Sequence, residues 1–485
     1  MFEMNTSVIV SQFRLAAARY ASRAALIGPE KSFSYNQLER QSAAMSEKIS
    51  ALVAGPTVAL LIPNSPVFAP SLLGALWAGK TVAVLPTLAP PPMLKLMVAE
   101  VGAGAVLTTA DFAPRLAEAG IPHEVVEGIA EVDPESVPLR PMEQEAAVLL
   151  YTSGTTGRPK AVMLSEHNLL ENIDGCRMAT GFNDRQVMLA ILPLFHAYGL
   201  TVTLLLPLSC GASVVIPDRF VPRSVLQTIE TQRVTCLVAV PSQYRLLTKE
   251  PVSIDARSLW LCIAGAERLP EQVATEFQQK FGRPIVQGYG TTELSPVVSL
   301  NMPGTNRFGS VGKSLPNLRI TIRDDEGELL GPDDVGEVCV EGGAVMLGYF
   351  RDEVASAKKV RHGVLHTSDK GYLDWDGYLH LVGRADDLVK VSGEKVYPSE
   401  VETALESLAG VDEAAVLALP DERHGSRLHA FVLLKDAGVT ENDLRTGLRD
   451  RLETYKVPRT ITLIEQMPRT ITGKTDKRTL AASAV

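Results

Sequence analysis

The chain has 485 residues, enough for two or more domains and a large core. Its 46% hydrophobic and 21% charged residues are ordinary for a soluble globular protein, and its net charge of −9 argues against general nucleic-acid binding. Cys176, Cys210, Cys236, Cys262 and Cys339 are odd in number and include no Cys-x-x-Cys pair, so they fit free thiols in a reducing compartment better than a disulfide or zinc framework. The N-terminus lacks a secretory signal, and Arg14, Arg19 and Arg23 among alanines and serines read as a first amphipathic helix. The expectation is a cytoplasmic protein without a transmembrane segment, a monomer or homodimer.

In chain order, Ser34 and Gln37 form a capping box that opens a helix to about residue 49. Residues 58–62 read as a buried strand, 66–78 as a helix and 81–85 as the next strand. Pro90, Pro91 and Pro92 mark a loop before a helix over 94–101 and a strand over 105–108. Strands alternating with helices imply a parallel sheet in an α/β layer. Residues 120–145, rich in prolines and acids, run over the surface. Residues 146–150 and 161–164 read as strands, and Ser165 caps the following helix.

Between those strands lies Tyr151-Thr152-Ser153-Gly154-Thr155-Thr156-Gly157-Arg158-Pro159-Lys160. Its glycines allow tight turns with amides aimed at an anion, its hydroxyls add donors, and Lys160 adds charge. The stretch suits a polyphosphate, although no Gly-Lys-Ser/Thr closes it as in the common nucleotide loop. The apolar run 189–217 is interrupted by Pro193, His196, Pro207 and Gly211, which favours a buried strand and helix over a membrane span. Strands over 213–216, 235–240, 259–264 and 284–287 each end at a loop with chemical character, as at the carboxyl ends of parallel strands. From about residue 310, short strands and acidic turns give a small antiparallel or barrel-like unit. A boundary at 384–386 separates an N-terminal domain, 1–383, from a compact C-terminal domain, 387–485.

Four further stretches carry chemistry. In Gln287-Gly288-Tyr289-Gly290-Thr291-Thr292-Glu293, Tyr289 can stack on a base, Thr292 can donate to phosphate and Glu293 can hold Mg²⁺. Asp369, before a turn, can accept from ribose hydroxyls. Lys474, on a Gly/Thr loop, would cross the domain boundary to a nucleotide. His196, among aromatics at the edge of the apolar run, can line an apolar pocket. Taken singly, a turn aspartate, a solvated lysine and a core histidine are ordinary structural residues.

The loop 151–160, Tyr289 to Glu293, Asp369, Gly383-Arg384 and Gly473-Lys474 follow the order and rough spacing of the adenylate-forming enzymes, which the chain resembles over nearly its whole length. The run Leu192–Pro217, with Gly265 to Pro270 and Ser295 to Asn301, looks most like fatty acyl-CoA and acyl-carrier-protein synthetases. The resemblance implies an α/β fold: a large N-terminal domain of stacked layers, with the barrel-like unit at about 310–383, and a smaller α+β C-terminal domain on a hinge. It implies ATP, Mg²⁺ and a pantetheine thiol, from coenzyme A or a carrier protein, as cofactors and a small-molecule carboxylic acid as substrate.

It also implies roles. Thr152, Ser153, Gly154, Thr155, Thr156, Gly157 and Lys160 would hold the β- and γ-phosphates. Gly265, Ala266, Glu267 and Tyr289, with Gln287, Gly288 and Gly290, would enclose adenine, and Asp369 and Arg384 the ribose. Thr292 would touch the α-phosphate, Glu293 would bind Mg²⁺ and His196 would gate the acyl pocket. Lys474 would bridge carboxylate and α-phosphate, while Lys390 and Gly393 would serve the cofactors, Gly393 on the thiol path. Ser368 departs from the family's usual glycine, which puts the local turn in question.

Overall fold

The computed structural model describes residues 6–152, 159–391, 394–421, 425–435, 438–469 and 475–483, with the backbone alone at 386, 390, 395, 420, 421 and 425. Ser153 to Gly157, Gly393 and Lys474 lie outside the described residues, as does the Lys390 side chain.

Local signals set the helix starts. Ser34 and Gln37 form the capping box of Tyr35–Leu52, and Ser165 and Asn168 form that of Glu166–Thr180. The proline cluster differs from expectation. Pro91 and Pro92 open the helix Pro91–Val101, because a missing N–H costs nothing in a first turn. In the apolar run, Tyr198–Leu205 is a π-helix followed by Leu206–Cys210. Leu206 donates to the Thr201 carbonyl, and Pro207 has no amide to give Thr203, so the wider turn replaces an α-turn.

Among the described residues the strands form four sheets. Seven strands make the first, with Thr81–Val84, Thr57–Leu61 and Val106–Thr108 parallel and Lys160–Ser165 antiparallel to Ala146–Thr152. Nine make the second, in which Cys236–Ala239, Leu261–Ala264 and Ile285–Gly290 run parallel side by side. Their carboxyl ends therefore open at one place. Buried side chains on one face of each sheet, among them Val58, Leu60, Val238 and Ile263, join the two layers in a shared core, while the opposite faces pack into separate clusters with the outer helices.

The third sheet is antiparallel, from Arg319–Arg323 to Leu379–Arg384, and forms the open half-barrel. A single turn, Ala385–Asp387, then leads to the fourth sheet, which begins at Val389–Val391 and carries its own core. The two units touch along a seam: Ser399 Oγ donates to the Val382 carbonyl at 2.7 Å, and Arg245 donates to Glu413 at 2.7 Å.

Candidate active site

Two strand ends supply the floor. After Leu261–Ala264 come Gly265, Ala266 and Glu267, and after Ile285–Gly290 come Thr291 to Glu293. Gly265 lies against the ring of Tyr198; a Cβ there would sit 2.7 Å from Tyr198 Cε1. Ala266 holds a left-handed backbone with φ 69°, and Gln287 Nε2 donates to the Glu267 carbonyl at 3.2 Å. At Gly290 a Cβ would lie 2.2 Å from the Pro296 carbonyl oxygen, an approach that backbone alone permits. Gly288 packs near Leu300 and the Ser299 carbonyl.

The half-barrel supplies the opposite wall. Tyr289 donates its hydroxyl to Asp369 Oδ2, and Arg384 Nη1 donates to Asp369 Oδ1 at 3.0 Å. Burial pushes the Asp369 carboxyl up, while Arg384 and the Tyr289 hydroxyl pull it down. Burial, followed by the Asp369 charge, also raises the Tyr289 phenol well above its usual range, so the phenol keeps its proton and donates. Ser368 takes φ 65°, the left-handed conformation that favours glycine. Its amide donates to Glu337 Oε1 at 3.0 Å, and its hydroxyl accepts from Lys359 Nζ at 2.9 Å. The expected turn is instead the strand Val364–Leu373, and those bonds hold it at this left-handed residue in the absence of glycine. His366 and Cys339 back it, with His366 Nδ1 3.0 Å from Glu337 Oε2 and 3.5 Å from Cys339 Sγ.

Thr292 is 9% exposed and opens the short turn Thr292–Leu294. Glu293 accepts from Thr291 Oγ1 on one carboxylate oxygen and from the Tyr349 hydroxyl at 2.8 Å on the other. Each oxygen keeps lone-pair capacity toward the cavity, and carboxylate oxygen is the donor a hard cation such as Mg²⁺ takes. The residues fit that ion. Lys160 Nζ sits 3.1 Å from Asp352 and 4.9 Å from the Tyr349 ring centroid.

These groups line one cavity of about 1260 Å³. At one end are Thr152, Lys160, Thr292, Glu293, Asp369 and Arg384. From His196 an arm continues past Met188, Val202, Leu206, Val238 and Leu261. Cys176 and Cys236 also line it, and burial pushes both thiols up to about 12, so they remain neutral and serve as small apolar groups. The cavity exceeds the roughly 300–1,000 Å³ of a usual single-ligand pocket. It has room for a nucleotide and an apolar tail together.

Among the described positions expected at the site, Thr152, Lys160, His196, Gly265 to Glu267, Gln287 to Gly290, Thr292, Glu293, Asp369 and Arg384 all line this cavity. Tyr198 is among the aromatics expected round His196, whereas Tyr349 and Lys359, which also line the cavity, escape sequence reasoning. Lys359 Nζ donates to the carbonyls of His366 at 3.1 Å and Thr367 at 2.8 Å, and burial lowers its pKa. Its only sequence signal is the pair Lys358-Lys359, which also suits an ordinary helix C-terminus. No helix among the described residues is long and apolar enough to cross a membrane.

A family model described as AMP-binding enzyme matches residues 13–350, and one described as AMP-binding enzyme C-terminal domain matches 400–474. A long-chain-fatty-acid–CoA ligase of Bacillus subtilis (strain 168) is 35% identical over 71% of this chain; the match spans 63% of that relative's length. A feruloyl-CoA synthase of Amycolatopsis sp is 33% identical over 91% of both chains. ATP-bound MatB from Rhodopseudomonas palustris superposes with a TM-score of 0.88 at 26% identity, covering 98% of each chain; its apo form, over the same coverage, gives 0.79.

Proposed function

The chain belongs to the AMP-binding enzyme family, whose acid–CoA ligases form AMP and use ATP and coenzyme A, and from that premise we propose that it activates a medium- or long-chain fatty acid. The observation that carries this reading is that one cavity is lined both by the polar groups around Glu293 and Asp369 and by the uncharged side chains of Met188, Val202, Leu206, Val238 and Leu261. A deep arm suits an alkyl chain, where a flat closed slot would suit a ring.

A carboxylate acylates poorly because its leaving group would be oxide. In the first step a carboxylate oxygen attacks the α-phosphorus, the bond to the bridging oxygen breaks, and pyrophosphate leaves with the electron pair. The barrier is largely repulsion between anions, so fixed donors and cations lower it. Thr292 would donate to the α-phosphate, and Lys160, leaving Asp352, would meet the outer phosphates. Glu293 would hold Mg²⁺, which when bound screens charge on the triphosphate. Tyr289 and the Gly265–Glu267 backbone would flank the adenine, and Asp369, held by Arg384, would accept from the ribose. His196 lines the same cavity, where it would gate the acyl pocket.

In the second step a pantetheine sulfur attacks the acyl carbonyl, and the C–O bond to AMP breaks. The acceptor is coenzyme A or a carrier-protein arm. The two steps need different neighbours, and rotation about the turn Ala385–Asp387 would exchange them. The closer likeness to the ATP-bound form of MatB than to its apo form supports reading the present arrangement as the adenylating one.

The test is carboxylate-dependent pyrophosphate exchange with a panel of acids. Exchange is expected to rise with alkyl length and to be weak with short dianionic acids. The feruloyl-CoA relative makes ring acids the second arm; a benzoate or cinnamate that outperforms every alkyl acid overturns the fatty-acid reading.

A further inference from the structure

The chemistry above makes no use of the most buried charge cluster at the seam. Arg245, on the helix Pro241–Lys249 of the large unit, is 9% exposed, and Glu413, on the strand Val411–Asp421 of the C-terminal unit, is 6% exposed. Arg245 Nη1 donates to Glu413 Oε2 at 2.7 Å, and its Nε lies 3.8 Å from Asp412 Oδ1. The same carboxylate accepts from Arg469 Nη2 on Oε2 and from Thr475 Oγ1 on Oε1 at 3.0 Å.

Arg469 and Thr475 are bridge partners, and Asp476 N donates to the Pro468 carbonyl at 2.8 Å. They stand on either side of residues 470–474, the stretch that contains Lys474. One carboxylate therefore joins the large unit, a strand of the small unit and both flanks of that stretch. The neighbouring pairs differ in weight. Lys249 is half exposed where it meets Asp412, and such surface pairs contribute little. Buried Glu413 has three donors, one of them from the other unit, and charge-assisted bonds of this kind are the strong ones.

We propose that Glu413 is a positioning residue for the adenylating step: with Arg245 it latches the C-terminal unit in the orientation seen here and fixes the flanks of the stretch that carries Lys474. The proposal rests on the acyl-adenylate chemistry above. Rotation for the second step separates Arg245 from Glu413, and both groups then gain water. The latch thus favours the first step and opposes departure from it.

The variants Glu413→Gln and Arg245→Ala, singly and together, test it with three readouts. Pyrophosphate exchange is expected to fall about 30-fold or more in each single variant, the lower end of the range for truncating one partner of a buried hydrogen-bonded charge pair. The double variant is expected to be no worse than Glu413→Gln alone, because that variant already weakens the one contact to Glu413 that Arg245→Ala removes. Thioester formation from supplied acyl adenylate is expected to hold within about twofold of the parent or to rise, a split that general destabilisation does not produce. Equal loss in both half-reactions overturns the proposal. Solution X-ray scattering without substrate is independent of activity: a more extended profile in Glu413→Gln supports the latch, and an unchanged one overturns it. A parent enzyme that gives no exchange with any acid removes the ligase reading instead, and scattering still decides the latch.

Discussion

At the scale of single residues, the hydroxyl of Tyr349 does work that no local motif announces. It donates to Glu293 at 2.8 Å, while its ring faces the Lys160 ammonium. Tyr349→Phe keeps the ring and removes only the donor. A hydrogen bond to a charged group contributes about 1.5–3 kcal/mol, so the Glu293 carboxylate loses its orientation at that level. Half-maximal pyrophosphate exchange is expected to need about tenfold more Mg²⁺, since 1.4 kcal/mol is a factor of ten. An unchanged Mg²⁺ dependence would show that Tyr349 does not orient Glu293. Glu293 itself is legible because glycines and hydroxyls surround it in sequence. Tyr349 and Lys359 are not, because their partners come from distant strands.

At the scale of elements, helix starts are legible because a cap is satisfied within four residues, as at Ser34 and Ser165. The prolines at 90–92 mislead, since a helix start and a loop share that signal. Strand existence is legible from apolar runs, but partners are not; nothing local places Ala24–Ile27 beside Ser213–Val215. The contact between the helix Pro398–Glu406 and Arg268 carries a pH consequence. Burial pushes Glu406 up to about 7 from an ordinary 4.5, with Arg268 only partly offsetting it. Between those values the folded chain keeps a proton that the unfolded chain releases, so this group makes stability fall as pH rises through that window. Melting temperature is expected to drop less between pH 5 and pH 7.5 in Glu406→Gln than in the parent. Parallel curves would remove Glu406 as the source.

At the scale of the whole molecule, the fold class and the presence of a nucleotide-type site follow from motifs in order: Gly265 to Glu267 and Thr291 to Glu293 follow strand ends, and Asp369, within the strand Val364–Leu373, faces the same cavity. The extent of the apolar arm is not readable that way. Its walls come from the helix Glu166–Thr180, the π-helix Tyr198–Leu205 and three separate strands, and only folding sets its depth. The account's central claim is that the nucleotide occupies the seam and the C-terminal unit brings Lys474 to it for the first step alone. The direct measurement is Lys474→Ala assayed in the two half-reactions separately, adenylate formation from acid and ATP and thioester formation from supplied acyl adenylate. The account predicts adenylate formation down by about a hundredfold or more, the scale for losing a charged transition-state partner, with the thioester step retained. Equal loss in both steps, or none in the first, would contradict it.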